Sequence, residues 1–314
     1  MSGLVLVTGA GGYLGGRVAT ALAHAGRPLR LVTRSPAALR PFFSESEILP
    51  WPEPSGFDGL CRDVHAVVHL ASLNESDSAC DPEQATLVNT LNTLQLLRAA
   101  ERAKVERFVY ASTARVYGEP LQGTISETTL PRPVHPYAIT HLGAEHHVLA
   151  AHDRWALGGV VLRLSNVVGA PSRAGVNRWS LIANDLCRQA VTKRTLSLKS
   201  SGLGTRDFVA MSDACRAIQH VLDLPFEGLA DGLFNVGGGQ SRSILDMARL
   251  VADGCERVLG FRPDLLRGFS SESDAALDYR IDKLTGTGFQ LAGALETEID
   301  ETLALCRDAF GKPE

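Results

Sequence analysis

Thr8-Gly9-Ala10-Gly11-Gly12-Tyr13-Leu14-Gly15 is the stretch that decides the fold. It follows the apolar run Leu4 to Val7 and opens a segment, Tyr13 to Ala25, whose apolar residues recur at helical spacing. Gly9, Gly12 and Gly15 give G-x-x-G-x-x-G at a strand-to-helix junction. Glycine is needed there where the backbone turns sharply and where it must approach a pyrophosphate closely. The helix N-terminus beyond it offers unpaired N–H groups and the positive end of a dipole. A tight turn that binds nothing is the bland alternative, and a lone glycine pattern would not exclude it. The position in the first β-α unit favours phosphate binding.

Working outward, Leu29 to Val32, Ala66 to Leu70, Arg107 to Ala111 and Val160 to Leu164 read as further buried strands. Thr86 to Arg102 and Tyr137 to His152 read as helices between them. Strands alternating with helices predict an α/β fold, a Rossmann-type doubly wound parallel sheet with helices on both faces. Ligands in such sheets bind beyond the carboxyl ends of the strands. After about residue 165 the pattern loosens. Helices are expected near Leu181 to Ala190, across Ile244 to Leu259 and across Glu296 to Phe310, with a strand and helix within Phe208 to Leu224. The organisation expected is a dinucleotide-binding domain over 1–165, rejoined by about 207–230. A smaller α/β substrate-binding lobe would comprise 166–206 and 231–314.

Of the 314 residues, 45% are hydrophobic and 21% charged, enough to bury a core without disulfides or metal. The formal net charge of −4 argues against nucleic acid or an acidic membrane as partner. The six cysteines are scattered and form no C-x-x-C pair, so reduced thiols and no metal site are expected. No run approaches the roughly 20 apolar residues of a membrane span, and no signal peptide is visible, so a cytoplasmic location is expected.

The second strand ends at Thr33-Arg34-Ser35. A carboxylate about 20 positions past the glycines would bind the ribose hydroxyls of NAD. Arg34 occupies that zone instead, and a guanidinium suits a 2′-phosphate. NADP is therefore favoured and NAD remains possible.

Further along come Ser112-Thr113-Ala114-Arg115-Val116-Tyr117-Gly118, then Pro136-Tyr137-Ala138-Ile139-Thr140-His141 opening a helix. With the glycine loop, with Val67-Val68-His69-Leu70-Ala71-Ser72, Asn89-Thr90-Leu91-Asn92-Thr93, Arg163-Leu164-Ser165-Asn166-Val167-Val168-Gly169, Arg206-Asp207-Phe208-Val209 and Phe234-Asn235-Val236-Gly237, the chain resembles the extended short-chain dehydrogenase/reductases, the NAD-dependent epimerase/dehydratase family. The motifs run in order along nearly the whole chain. The resemblance implies an oxidoreductase moving hydride to or from a nucleotide-linked sugar, with Tyr137 trading a proton and Thr113, preceded by Ser112, polarising the substrate oxygen. Such a tyrosine works if its pKa, normally near 10, is lowered. Gly9, Gly12, Tyr13, Leu14, Gly15, Arg34, Leu70, Ala71 and His141 are the implied cofactor contacts. Asn166, Arg206 and Trp179 are the implied substrate contacts, with Arg206 on a diphosphate.

Three departures bear on function. His141 stands where the family carries the lysine of Y-x-x-x-K. Imidazole is near neutral at pH 7, though it can hydrogen-bond a ribose hydroxyl and could carry a proton in an empty site. Ala114-Arg115 follows Thr113 where family dehydratases carry Asp-Glu, which disfavours a sugar-nucleotide 4,6-dehydratase. Leu49-Pro50-Trp51-Pro52 replaces an acidic adenine contact. The leading reading is an epimerase or keto-reductase of a nucleotide sugar, with a homodimer possible. The alternatives are a reductase of a non-sugar carbonyl and a dinucleotide-binding regulator without turnover, the latter motivated by His141. His146 and His147, further along the helix, lack a ligand pattern for metal.

Overall fold

The computed structural model describes residues 3–269 and 275–311. Seven strands form one parallel sheet: β1 (Leu4–Thr8), β2 (Leu29–Thr33), β3 (Glu47–Pro50), β4 (Val64–His69), β5 (Arg107–Thr113), β6 (Gly158–Leu164) and β7 (Leu233–Val236). Their spatial order is β7-β6-β5-β4-β1-β2-β3. The sheet grows in opposite directions from β1, so the crevice between the ends of β1 and β4 is its switch point.

The strands bury both faces, as parallel strands must. Val5 and Val7 of β1 point into one apolar layer with Val68 and Val109, while Leu6 joins Val67, Phe108 and Tyr110 in the other. That alternation is the two-residue period of a strand. Helix Tyr13–His24 packs on the first layer through Val18, Ala19 and Leu22, and helix Pro136–Asp153 on the second through Ala144, Val148 and Ala151.

The smaller lobe carries a three-stranded sheet with Thr205–Ala210 between Asn166–Val168 and Ser241–Ser243. Helices Ile182–Lys193, Ile244–Leu259 and Leu295–Phe310 surround a separate core that includes Cys187, Leu196, Val251 and Ile299. Glu298, buried, joins this lobe to the first helix: it pairs with Arg17 at 3.1 Å and accepts from the Ser212 N–H at 2.8 Å.

One sequence expectation needs correction. Leu233–Val236 belongs to the large sheet, in parallel register with β6, and Phe234 and Val236 fill its core. Leu284 and Phe289 pack into the same core. The expected lobe boundary at 231 therefore falls too early. The sequence reading also missed β3, a short edge strand ending in Pro50, which a strand tolerates only where no ladder partner lies beyond. Among the described residues no helix is long and apolar enough to cross a membrane.

Candidate active site

The glycine loop lies at the switch point. Gly9 has φ +69°, and a Cβ there would lie 2.8 Å from the Ala71 nitrogen and the Leu70 carbonyl. A Cβ at Gly15 would collide with the Gly9 carbonyl. The loop thus presses against both the end of β4 and its own helix, and only glycine permits either approach. A buried hydrogen-bond chain braces this junction. The Thr93 hydroxyl donates to the Asn89 carbonyl (2.6 Å), so it accepts from His69 Nε2 (2.9 Å). His69 Nδ1 then accepts from the Thr8 hydroxyl (2.6 Å). The Thr8 oxygen in turn accepts the N–H groups of Leu70 (3.2 Å) and Ala71 (3.3 Å). Burial, with His141 adding to it, lowers the His69 pKa to about 3, so the neutral tautomer that this chain requires is the stable one.

A single cleft of about 1560 Å³ runs from this loop across the ends of β1, β4 and β5 to the smaller lobe. A drug-sized ligand needs roughly 300–1,000 Å³, so this volume accommodates more than one small molecule. At its outer end lie Arg34, exposed, and Trp51, half-buried. The sequence reading missed a third residue there. Arg173 reaches over from the smaller lobe, with Nη1 donating to the Ala38 carbonyl and Nη2 to that of Gly11 (3.4 Å). It lies in an irregular, loop-rich stretch whose sequence carried no signal of where the chain doubles back. Tyr13 makes a second tie between the parts, its hydroxyl donating to the Gly169 carbonyl at 2.8 Å. Tyr13 and Leu14 line the cleft, as do Leu70 and Ala71.

Tyr137 and His141 come together in this cleft, which Thr113 also lines. Pro136 starts the helix, and His135 caps it by accepting the Tyr137 N–H (3.2 Å). The rings of Tyr137 and His141, one turn apart, meet edge to face at 4.3 Å. Thr113 accepts the Arg115 N–H (3.2 Å) and lines the cleft. Ser112, grouped with it in the sequence, is committed elsewhere: its hydroxyl donates to Glu145, which is fully buried in a fork with Arg163 at 2.6 Å. Ser112 thereby ties β5 to the helix that carries Tyr137. Asn89 does similar positioning, accepting the Leu73 N–H (2.7 Å) and donating to the Thr140 hydroxyl (3.0 Å). It sits in a π-helical stretch, Thr86–Leu91, an irregularity that periodicity alone does not reveal.

The electrostatics differ from the expectation. Burial, with a small upward pull from Glu75 opposing it, lowers His141 to about 4, so a protonated imidazole in the empty site is not supported. Desolvation by the packed cleft wall, then Glu75, raises Tyr137 above its ordinary value, while Arg178 and Arg115 oppose the rise. Arg178 Nη1 pairs with Glu75 at 3.2 Å.

At the lobe side, Arg206 lines the cleft with Nη1 on its neighbouring Thr205 carbonyl (2.8 Å). Asn166 also lines it, and its Nδ2 donates to the Asp207 carbonyl at 2.8 Å, linking two strands. Trp179 is the exception. Its ring packs edge to face on Phe310 at 5.0 Å, its indole N–H reaches the Ala174 carbonyl at 3.3 Å, and it is only 5% exposed. A satisfied, buried indole serves the lobe's core, so the substrate role expected of it is withdrawn.

The glycine cradle and an unpartnered buried nitrogen, His141 Nε2, fit a nicotinamide dinucleotide laid along this cleft. Sheet order, glycine loop and the tyrosine-bearing helix together define a Rossmann-type dinucleotide-binding protein of short-chain dehydrogenase architecture. Residues 5–237 match the NAD dependent epimerase/dehydratase family, and the chain belongs to it. It is 32% identical to a UDP-glucose 4-epimerase of Azospirillum brasilense over 79% of this chain and 76% of that protein. It is 30% identical to a GDP-6-deoxy-D-mannose reductase of Pseudomonas aeruginosa over 81% and 80%. Relatives named dTDP-glucose 4,6-dehydratase match as well. Among solved structures, MoeE5 in complex with UDP-glucose and NAD superposes with a TM-score of 0.79 at 27% identity, covering 98% of this chain and all of that one.

Proposed function

We propose that the protein is a nucleotide-sugar epimerase or keto-reductase that uses a nicotinamide dinucleotide, with NADP(H) preferred. The observation that carries the proposal is that the Tyr137–His141 pair and Thr113 line one cleft with the glycine cradle. The bound nicotinamide supplies hydride exchange with a sugar carbon. The chain supplies the rest. Tyr137 Oη takes the proton from the sugar hydroxyl, or returns it to the carbonyl oxygen. The Thr113 hydroxyl, whose oxygen already accepts from Arg115, has its proton to donate to the same sugar oxygen. His141 Nε2, without a partner in the protein, would hold a ribose hydroxyl of the dinucleotide. Arg206 and Asn166 face the diphosphate.

The preference for NADP rests on two guanidiniums at the outer end, Arg34 and Arg173, with no carboxylate at the end of β2. Against a 4,6-dehydratase stands Ala114-Arg115, which offers neither acid nor base beside Thr113. A second reading, a cofactor-binding relative with impaired turnover, has one observation in its favour: neither His141 nor Tyr137 is shifted toward its charged form.

The test is to incubate the protein with UDP-, dTDP- and GDP-sugars, and with their 4-keto forms plus NADPH, following products by proton NMR. Conversion of a nucleotide sugar supports the proposal, and tightly retained nucleotide in the purified protein favours epimerisation over net reduction. NADPH binding without conversion of any of them would replace the proposal by the second reading.

A further inference from the structure

The wall behind the candidate catalytic residues is a row of aromatic rings. His69 stacks on Tyr110 (5.8 Å, 29°), and Tyr110 stacks on His141 (5.6 Å, 30°). The Tyr110 hydroxyl and His141 Nδ1 are 2.6 Å apart, and both residues are buried, 1% and 2% exposed. No other hydrogen bond is recorded for that hydroxyl among the described residues.

Two proton arrangements fit this pair. If Tyr110 donates, its proton is satisfied, Nδ1 is satisfied, and the imidazole carries its proton on Nε2. If Nδ1 carries the proton and donates, the tyrosine O–H has to find another acceptor inside an apolar layer, and Nε2 is left as a bare acceptor. An unsatisfied buried donor costs roughly 1–3 kcal/mol. The first arrangement strands one polar atom and the second strands two. Burial, reinforced by Glu145, also keeps Tyr110 in the protonated form that donates.

His141 Nε2 is the atom left without a partner in either case, on a residue that lines the cleft beside Tyr137. We infer that Tyr110 is a positioning residue that fixes His141 as the Nε2–H tautomer, so that a neutral imidazole presents one hydrogen-bond donor to the cofactor ribose in place of a cation. The ligand class follows from the donor: an acceptor oxygen such as a sugar hydroxyl satisfies it, whereas a second donor would leave it unpaired. The inference rests on the proposed function only for the identity of that acceptor.

The test uses the full chain labelled with 15N at histidine. Long-range 15N–1H spectra at pH 7 distinguish a protonated from a bare ring nitrogen at each position. The expected result for His141 is a protonated Nε2 and a bare Nδ1. Tyr110→Phe removes the donor and is expected to release the preference, giving mixed tautomers. If the protein turns over, kcat in Tyr110→Phe falls at least about tenfold, with KM for the nucleotide sugar little changed, because a misplaced imidazole proton disorganises the reacting centre. A protonated Nδ1 or an imidazolium in the wild type overturns the inference, whatever Tyr110→Phe does. So does a tautomer unchanged in a folded Tyr110→Phe. A protein that shows the expected tautomer and its dependence on Tyr110, yet converts no nucleotide sugar, defeats the proposed function and leaves this inference standing.

Discussion

Tyr137 and His141 form a pair in which charge is scarce. A lysine at 141 would bring a fixed cation to the phenol, whereas this imidazole is neutral and hydrogen-bonded to Tyr110. Tyr137→Phe is expected to abolish hydride transfer while NADPH affinity changes less than about twofold, since only the proton path is lost. Stopped-flow absorbance of the nicotinamide and calorimetric titration check the two halves. Normal turnover in this variant would remove Tyr137 from the chemistry. At the outer end, Arg34→Ala and Arg173→Ala are each expected to weaken NADPH binding by about 1.5–3 kcal/mol, the value of a charge-assisted contact, and to leave NADH nearly unaffected. Equal affinity of the wild type for both cofactors would sink that expectation. Local motifs single out Tyr137, Thr113 and Arg34 in the sequence, and all three line the same cleft. The sequence could not reveal Tyr110 against His141, 31 residues apart, or Arg173 against Gly11, 162 apart, because those contacts exist only once β5, the helix after it and the smaller lobe have packed.

Helix Pro136–Asp153 is the element on which the candidate chemistry stands, and its anchoring is buried and ionic. Glu145, one turn beyond His141, takes both nitrogens of an Arg163 fork from β6 and the Ser112 hydroxyl from β5. Arg163 in turn lies over the Tyr117 ring at 4.6 Å. Replacing only one partner leaves an uncompensated charge among apolar layers. Arg163→Met is therefore expected to destabilise the fold by about 3–5 kcal/mol, whereas Arg163→Met with Glu145→Leu recovers much of the loss. Urea unfolding followed by circular dichroism measures both. A single variant as stable as wild type would mean that the pair contributes nothing. Helical periodicity placed this helix to within one residue at each end, but it gave no sign of Glu145's role, because a buried carboxylate is identifiable only by its partner. The same limit hid β3 and reassigned Leu233–Val236: neither short run has enough residues for its period to stand out, and membership of a sheet is decided by neighbours remote in sequence.

Across the whole molecule the change from regular to irregular patterning after about residue 165 was visible in the sequence, but the chain's returns were not: it comes back to the large sheet as late as Val236 and to that sheet's core at Phe289. The layer between the large sheet and helix Pro136–Asp153 holds histidines in the neutral form, and this affects stability. His69 and His141 have folded pKa values of about 3 and 4, below the unfolded value of about 6.5. Between pH 6.5 and 4 the unfolded chain therefore binds protons that the folded chain refuses. Their contribution is complete above pH 6.5 and is lost as the pH falls toward the folded values, each histidine contributing a slope of up to about 1.4 kcal/mol per pH unit. Asp207 acts oppositely. Burial raises it to about 6, against the nearby Ser165 side chain and the hydrogen bond from the Gly238 N–H (2.8 Å), so the folded chain binds its proton first and gains stability as the pH drops through 6. Burial raises Glu298 as well, in the same sense. With His147 and His220 also lowered by burial, the histidines outnumber the raised acids. Wild-type stability is thus expected to decline from pH 6.5 to 5. The component signs are separable by mutation. His69→Gln keeps a donor and an acceptor between Thr93 and Thr8 and should make the decline shallower by close to one proton. Asp207→Asn removes an offsetting group and should make it steeper. Urea titrations at pH 5, 6 and 7 for the three proteins measure these slopes, and a His69→Gln slope equal to that of wild type would show that His69 is not held neutral by the fold.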